Sequence, residues 1–167
     1  VAKGLGYIHS CDVIHGDLKG VRGTTYSLTL ANIPVDATGN ARIVDFGLAT
    51  VARDINLLVS NTDRRGIAAQ YAAPEILRNN GCYSKESDVF SFGMVTIEVF
   101  TGKIPFSDLS IAAAATSINT GKRPKRPSHP SLIDDLWALT QHCWKEEPQD
   151  RPQMDEVIKP LSVFLFS

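Results

Sequence analysis

The chain has 167 residues, and its 17 Lys+Arg against 18 Asp+Glu leave a net charge of −1. That balance argues against a nucleic-acid binder driven by bulk charge and against a polybasic membrane anchor, and a hydrophobic fraction of 43% argues against a disordered chain. No apolar run approaches the roughly 18 residues of a membrane helix. The three scattered cysteines, Cys11, Cys82 and Cys143, form neither a disulfide framework nor a metal pattern and suit a reducing, cytoplasmic setting.

The first residue is Val1, with no capping residue before the helical spacing of Leu5 and Ile8, so the start reads as a helix joined partway along. The apolar pair Val13-Ile14 leads into a polar loop. Residues 33–36 and 41–44 read as two small strands around the turn Thr38-Gly39-Asn40. From Asp45 to about Gly66 no period is sustained, and a loop that long is usually functional or disordered. Ser84 or Ser87 can cap the next helix, which is apolar on nearly every face from Val89 to Phe100, the pattern of a helix buried in the middle of a domain. Thr101-Gly102 ends it. Three further helices are expected, over 108–119, 131–144 and 152–165, with a Pro-rich basic loop from Gly121 to Pro127 after the first of them.

Three short motifs follow one another: His15-Gly16-Asp17-Leu18-Lys19, Asp45-Phe46-Gly47 and Ala73-Pro74-Glu75. Each is weak alone. In this order, and continued by Ser87-Asp88-Val89-Phe90-Ser91-Phe92-Gly93, Thr101-Gly102-Lys103-Ile104-Pro105-Phe106, Cys143-Trp144 and Arg151-Pro152, they resemble the second half of a eukaryotic-type protein kinase domain. The resemblance is closest to the tyrosine-kinase-like group, and Lys19, two places after Asp17, resembles the serine/threonine-specific pattern.

The resemblance implies a mainly α fold: a kinase-like C-terminal lobe with a small β-hairpin at the catalytic cleft, filling residues 1–167 as a partial domain whose N-terminal lobe is absent. It also implies ATP and Mg²⁺ as cofactors and a protein as substrate, while the charge balance and the lack of a long apolar run imply no nucleic acid and no membrane as partners. Phosphoryl transfer needs positioning and cancellation of charge. Asp17 would take the substrate hydroxyl's proton, and Lys19 would stand near the transferring phosphate. Asp45 would bind Mg²⁺, a hard cation that prefers carboxylate oxygen. The family's second metal ligand is an Asn five residues after the catalytic Asp, but here that position is Arg22. Counting thirteen back from Asp45 reaches Asn32. Ten extra residues, Arg22 to Ala31, would then be inserted in the catalytic loop, leaving Asn32 as the metal ligand.

The resemblance assigns other residues to the framework. Glu75 and Arg151 match a buried ion pair. Asp88 matches a helix carboxylate that accepts from the backbone around His15-Gly16, and His15 is a packing and hydrogen-bonding residue. Three departures favour the alternative, a pseudokinase or protein-binding module. Gly16 replaces an Arg that can pair with a phosphorylated activation loop, which disfavours activation by phosphate at Ser60 or Thr62. The segment Gly66-Ile-Ala-Ala-Gln-Tyr-Ala lacks the expected Ser or Thr. The third departure is the insertion itself. No Gly-rich phosphate loop or strand lysine precedes His15, so these 167 residues alone are expected to have negligible kinase activity.

Overall fold

The computed structural model describes residues 1–20, 33, 34, 36, 38, 40–45, 49–51, 68–78 and 82–164, with backbone alone at 50, 51 and 164. Helix α1 (Ala2–Ser10) leads into strand β1 (Val13–Ile14), which pairs antiparallel with β2 (Thr50–Val51). Then come the short α2 (Pro74–Leu77), the central α3 (Lys85–Thr101), α4 (Ile111–Asn119), α5 (Asp134–Cys143) and α6 (Met154–Phe164).

Helix α3 organises the rest. Ser84 starts it with a capping box: its hydroxyl accepts from the Ser87 amide, and the Ser87 hydroxyl accepts from the Ser84 amide. Both serines that could cap this helix therefore act together. Gly102, at φ 64, stops it. Val89, Phe90, Met94, Val95 and Ile97 are buried, and helix α5 packs on α3 while α6 packs on α1. The Phe90 ring has the guanidinium carbons of both Arg123 and Arg151 5.1 Å from its centroid. Trp144 is buried and Trp137 half-buried; their rings meet edge to face at 5.5 Å. Burial pushes the Cys143 thiol up to about 12, leaving it an inert core residue.

Several expectations change in detail. Among the described residues, the hairpin over 33–36 and 41–44 shows two ladder bonds, Arg42 N–H to Pro34 O and Asp36 N–H to Asn40 O, each 2.9 Å, and no regular strand. Asp36 closes it by accepting from the Thr38 hydroxyl, the Thr38 and Asn40 amides and the Arg42 guanidinium. These bonds, the Thr38 hydroxyl first, hold its carboxyl well below the usual carboxylate range. Strand β2 lies in a stretch where the sequence shows no period, because two residues are too few to carry one. Helix α2 is likewise only four residues long, with Pro74 in its first turn. Of the basic loop, Arg123 donates to Trp144 O, Ile118 O and Glu146, and Arg126 pairs with Asp134, so its arginines bind the chain itself.

Candidate active site

The site begins where β1 ends. Asp88, 1% exposed on α3, reaches the chain just after the strand: Oδ2 accepts from the His15 amide at 2.8 Å and Oδ1 from the Gly16 amide at 2.9 Å. The His9 ring on α1 adds a third bond, Nε2 to Asp88 Oδ2 at 2.9 Å. A buried carboxylate needs such donors to offset its lost hydration. Gly16 stands at φ 77, a left-handed conformation that glycine adopts without a Cβ penalty. The chain turns sharply there, directly before Asp17.

The His15 ring is fully buried and uses both nitrogens. Nε2 lies 3.3 Å from Val44 O, and Nδ1 accepts from the Asp17 amide at 3.3 Å. A carbonyl can only accept, so the bond to Val44 requires the tautomer with hydrogen on Nε2. His15 therefore ties the Asp17 loop to the residue before Asp45, and neither nitrogen is left to act as a base or metal ligand.

Asp17 and Lys19 meet directly as a half-buried ion pair. Asp17, Leu18, Ala68, Tyr71 and Tyr83 line a narrow cavity of about 20 Å³, room for about one water molecule. Burial, and then the Asp17 charge, raise the Tyr83 phenol above its ordinary range. Ala68 faces this cavity with a methyl group and no hydroxyl.

Asp45 is exposed and stands at φ 63, left-handed for a residue with a Cβ. Such a conformation costs about 1–3 kcal/mol and is held by its surroundings. Asn32, Phe46, Gly47 and the segment 22–31 lie outside the described residues, as do Ser60 and Thr62. Among the described residues, no three His, Cys, Asp or Glu side chains gather as a metal cage. The donor chemistry still suits Mg²⁺, which takes one or two carboxylates and completes its shell with phosphate and water.

Farther from Asp17, Arg151 donates to both Glu75 oxygens at 2.6 and 2.8 Å, and to the Lys145, Glu86 and Glu146 carbonyls. The Arg151 side chain is fully buried, but that of Glu75 is 24% exposed, so the pair is closed on one side only.

Three polar residues escaped the sequence reading. His9 is the third donor to Asp88. Glu98, the one acid within the apolar run of α3, accepts from the Tyr71 hydroxyl at 2.7 Å, and both residues are buried. The available signal was that lone acid: a carboxylate within so apolar a run, once buried, requires a donor. Burial foremost, then the Glu98 bond and charge, push the Tyr71 phenol far up.

A family model described as "Protein tyrosine and serine/threonine kinase" matches residues 1–161. The chain belongs to that family. It is 34% identical over 161 residues to a probable serine/threonine-protein kinase of Dictyostelium discoideum, covering 95% of this chain and 16% of that protein. It is 32% identical over 165 residues to the serine/threonine-protein kinase STY17 of Arabidopsis thaliana, covering 97% and 26%. A putative serine/threonine-protein kinase/receptor of Acanthamoeba polyphaga mimivirus is 36% identical over 166 residues, covering 98% and 9%. The chain thus spans between 9% and 26% of the length of these relatives.

Proposed function

We propose that the chain carries the substrate side of a serine/threonine protein kinase site, which transfers the γ-phosphoryl of ATP to Ser or Thr hydroxyls of proteins. The observation that carries this reading is the Asp17–Lys19 pair, on a loop pinned by Asp88 and bridged by His15 to the residue before Asp45. Asp17 orients the substrate hydroxyl and accepts its proton. Lys19 balances charge at the transferring phosphate, and its contact with Asp17 keeps the carboxylate aimed. Asp45 and Asn32 would hold Mg²⁺, which when bound with ATP neutralises the triphosphate. Residues 22–31 form an insertion in this loop, and insertions of that length cost little closure entropy. The exposed free thiols of Cys11 and Cys82 support a cytoplasmic location, and no helix among the described residues is long and apolar enough to cross a membrane.

Transfer also requires the Gly-rich loop and lysine of an N-terminal lobe, which these residues do not contain. The test joins the chain to such a lobe and measures phosphate transfer from Mg·ATP to Ser/Thr peptides. Turnover is expected in the joined protein and lost in Asp17→Asn, with none from the 167 residues alone. Turnover that survives Asp17→Asn would overturn the reading. One observation favours a second reading, a binding module without catalysis: Ala68 presents no hydroxyl to the cavity beside Asp17. On that reading the joined protein is folded and inactive.

A further inference from the structure

Gly20 follows Lys19, and its φ lies outside the left-handed region occupied by Gly16, Gly102 and Gly121. Backbone freedom therefore does not explain a glycine here. Space does. A Cβ built on Gly20 would lie 1.4 Å from Oε2 of Glu98, 2.1 Å from its Cδ and 2.5 Å from Oε1. The end of a side chain can often swing away from such a clash, but this one is held. Glu98 is 7% exposed and its Oε2 accepts from Tyr71, itself 5% exposed. Moving the carboxylate would strand a buried hydroxyl and a buried charge.

We propose that Gly20 is a positioning residue for the Asp17–Lys19 pair: having no side chain, it seats the chain after Lys19 directly on the Tyr71–Glu98 pair. Asp88 anchors the loop before Asp17, and the Glu98 seat anchors it after Lys19. Both anchors project from α3, one near each end of the helix. The segment before Ala73-Pro74-Glu75 joins the same contact through Tyr71. What the seated pair does rests on the kinase reading, whereas the seat itself can be measured without turnover.

The test is a double-mutant cycle in the 167-residue chain, read by urea unfolding and by amide hydrogen exchange. Gly20→Ala should lower the folded-to-unfolded ratio about tenfold or more, as overpacking does. Exchange should accelerate more at the Leu18, Lys19 and Gly20 amides than at Met94 in the centre of α3. Glu98→Asp withdraws the carboxylate by one methylene, so in that background the Gly20→Ala penalty should largely vanish and the loop amides should regain protection. An equal penalty in both backgrounds, or exchange that rises uniformly along the chain, overturns the seat. Should Gly20→Ala fail to fold, the Gly20→Ala/Glu98→Asp variant decides: recovery of folding supports the seat, and its absence overturns it. Loss or retention of phosphoryl transfer changes none of these outcomes.

Discussion

The Asp88 carboxylate holds Gly16 at φ 77 through a 2.9 Å bond from the Gly16 amide to Oδ1. A helix from the middle of the fold thereby sets the backbone one residue before Asp17. Here glycine takes up the left-handed turn without steric cost, so Asp88 holds a relaxed backbone.

Gly16→Ala should destabilise the chain by about 1–2 kcal/mol, the penalty of placing a Cβ in the left-handed region. Urea unfolding measures it. A change below a few tenths of a kcal/mol would show that the turn relaxes when substituted.

Asp88→Ala removes the acceptor of three donors. Each stranded buried group costs about 1–3 kcal/mol, so this variant should rank among the most destabilised. Asp88→Asn keeps one acceptor oxygen and should fall between it and the natural chain. Hydrogen exchange at the His15 and Gly16 amides reports the loss locally; unchanged protection there in Asp88→Ala would contradict the assignment.

Arg151→Ala should cost about 3–5 kcal/mol, because it leaves the Glu75 carboxylate and three backbone carbonyls without their partner. Glu75→Gln should cost less, since Gln keeps one acceptor oxygen for the guanidinium and Arg151 retains its bonds to three backbone carbonyls. Arg151→Lys should rescue little: one ammonium cannot reproduce a fork that makes five hydrogen bonds. Thermal unfolding of the three variants tests the order.

Tyr71 predicts an alkaline dependence. Its folded-state pKa is raised, so the folded chain holds the phenol proton more tightly than the unfolded one. The resulting stabilisation is fully present below about pH 10, the ordinary tyrosine value. It is lost as pH rises above that value toward the folded-state one. The stability difference between the natural chain and Tyr71→Phe should therefore shrink above about pH 10. A difference that stays constant from pH 8 to 11 would contradict the buried Tyr71–Glu98 bond.

The order of motifs along the chain sufficed for the family and for the residues to look for. Asp17, Lys19 and Asp45 sit within short local signatures, and α3 shows itself by its apolar run, its capping serines and its terminal glycine. Local signals of this kind are legible because the residues that make them are neighbours in sequence. The supports of the site are not neighbours. His9 reaches Asp88 across 79 positions and Tyr71 reaches Glu98 across 27, and no helical or strand period records such a pairing. Nor does anything in the string Leu-Lys-Gly distinguish a glycine needed for its φ from one needed for its missing Cβ. Packing of the loop against α3 made that distinction: at Gly16 the backbone turns, and at Gly20 a buried carboxylate fills the space a side chain would take. By itself the sequence determined which chemical groups are available and roughly which elements carry them. The tertiary structure decided which buried donor meets which buried acceptor, because leaving either unpaired away from water costs more than the fold can spare.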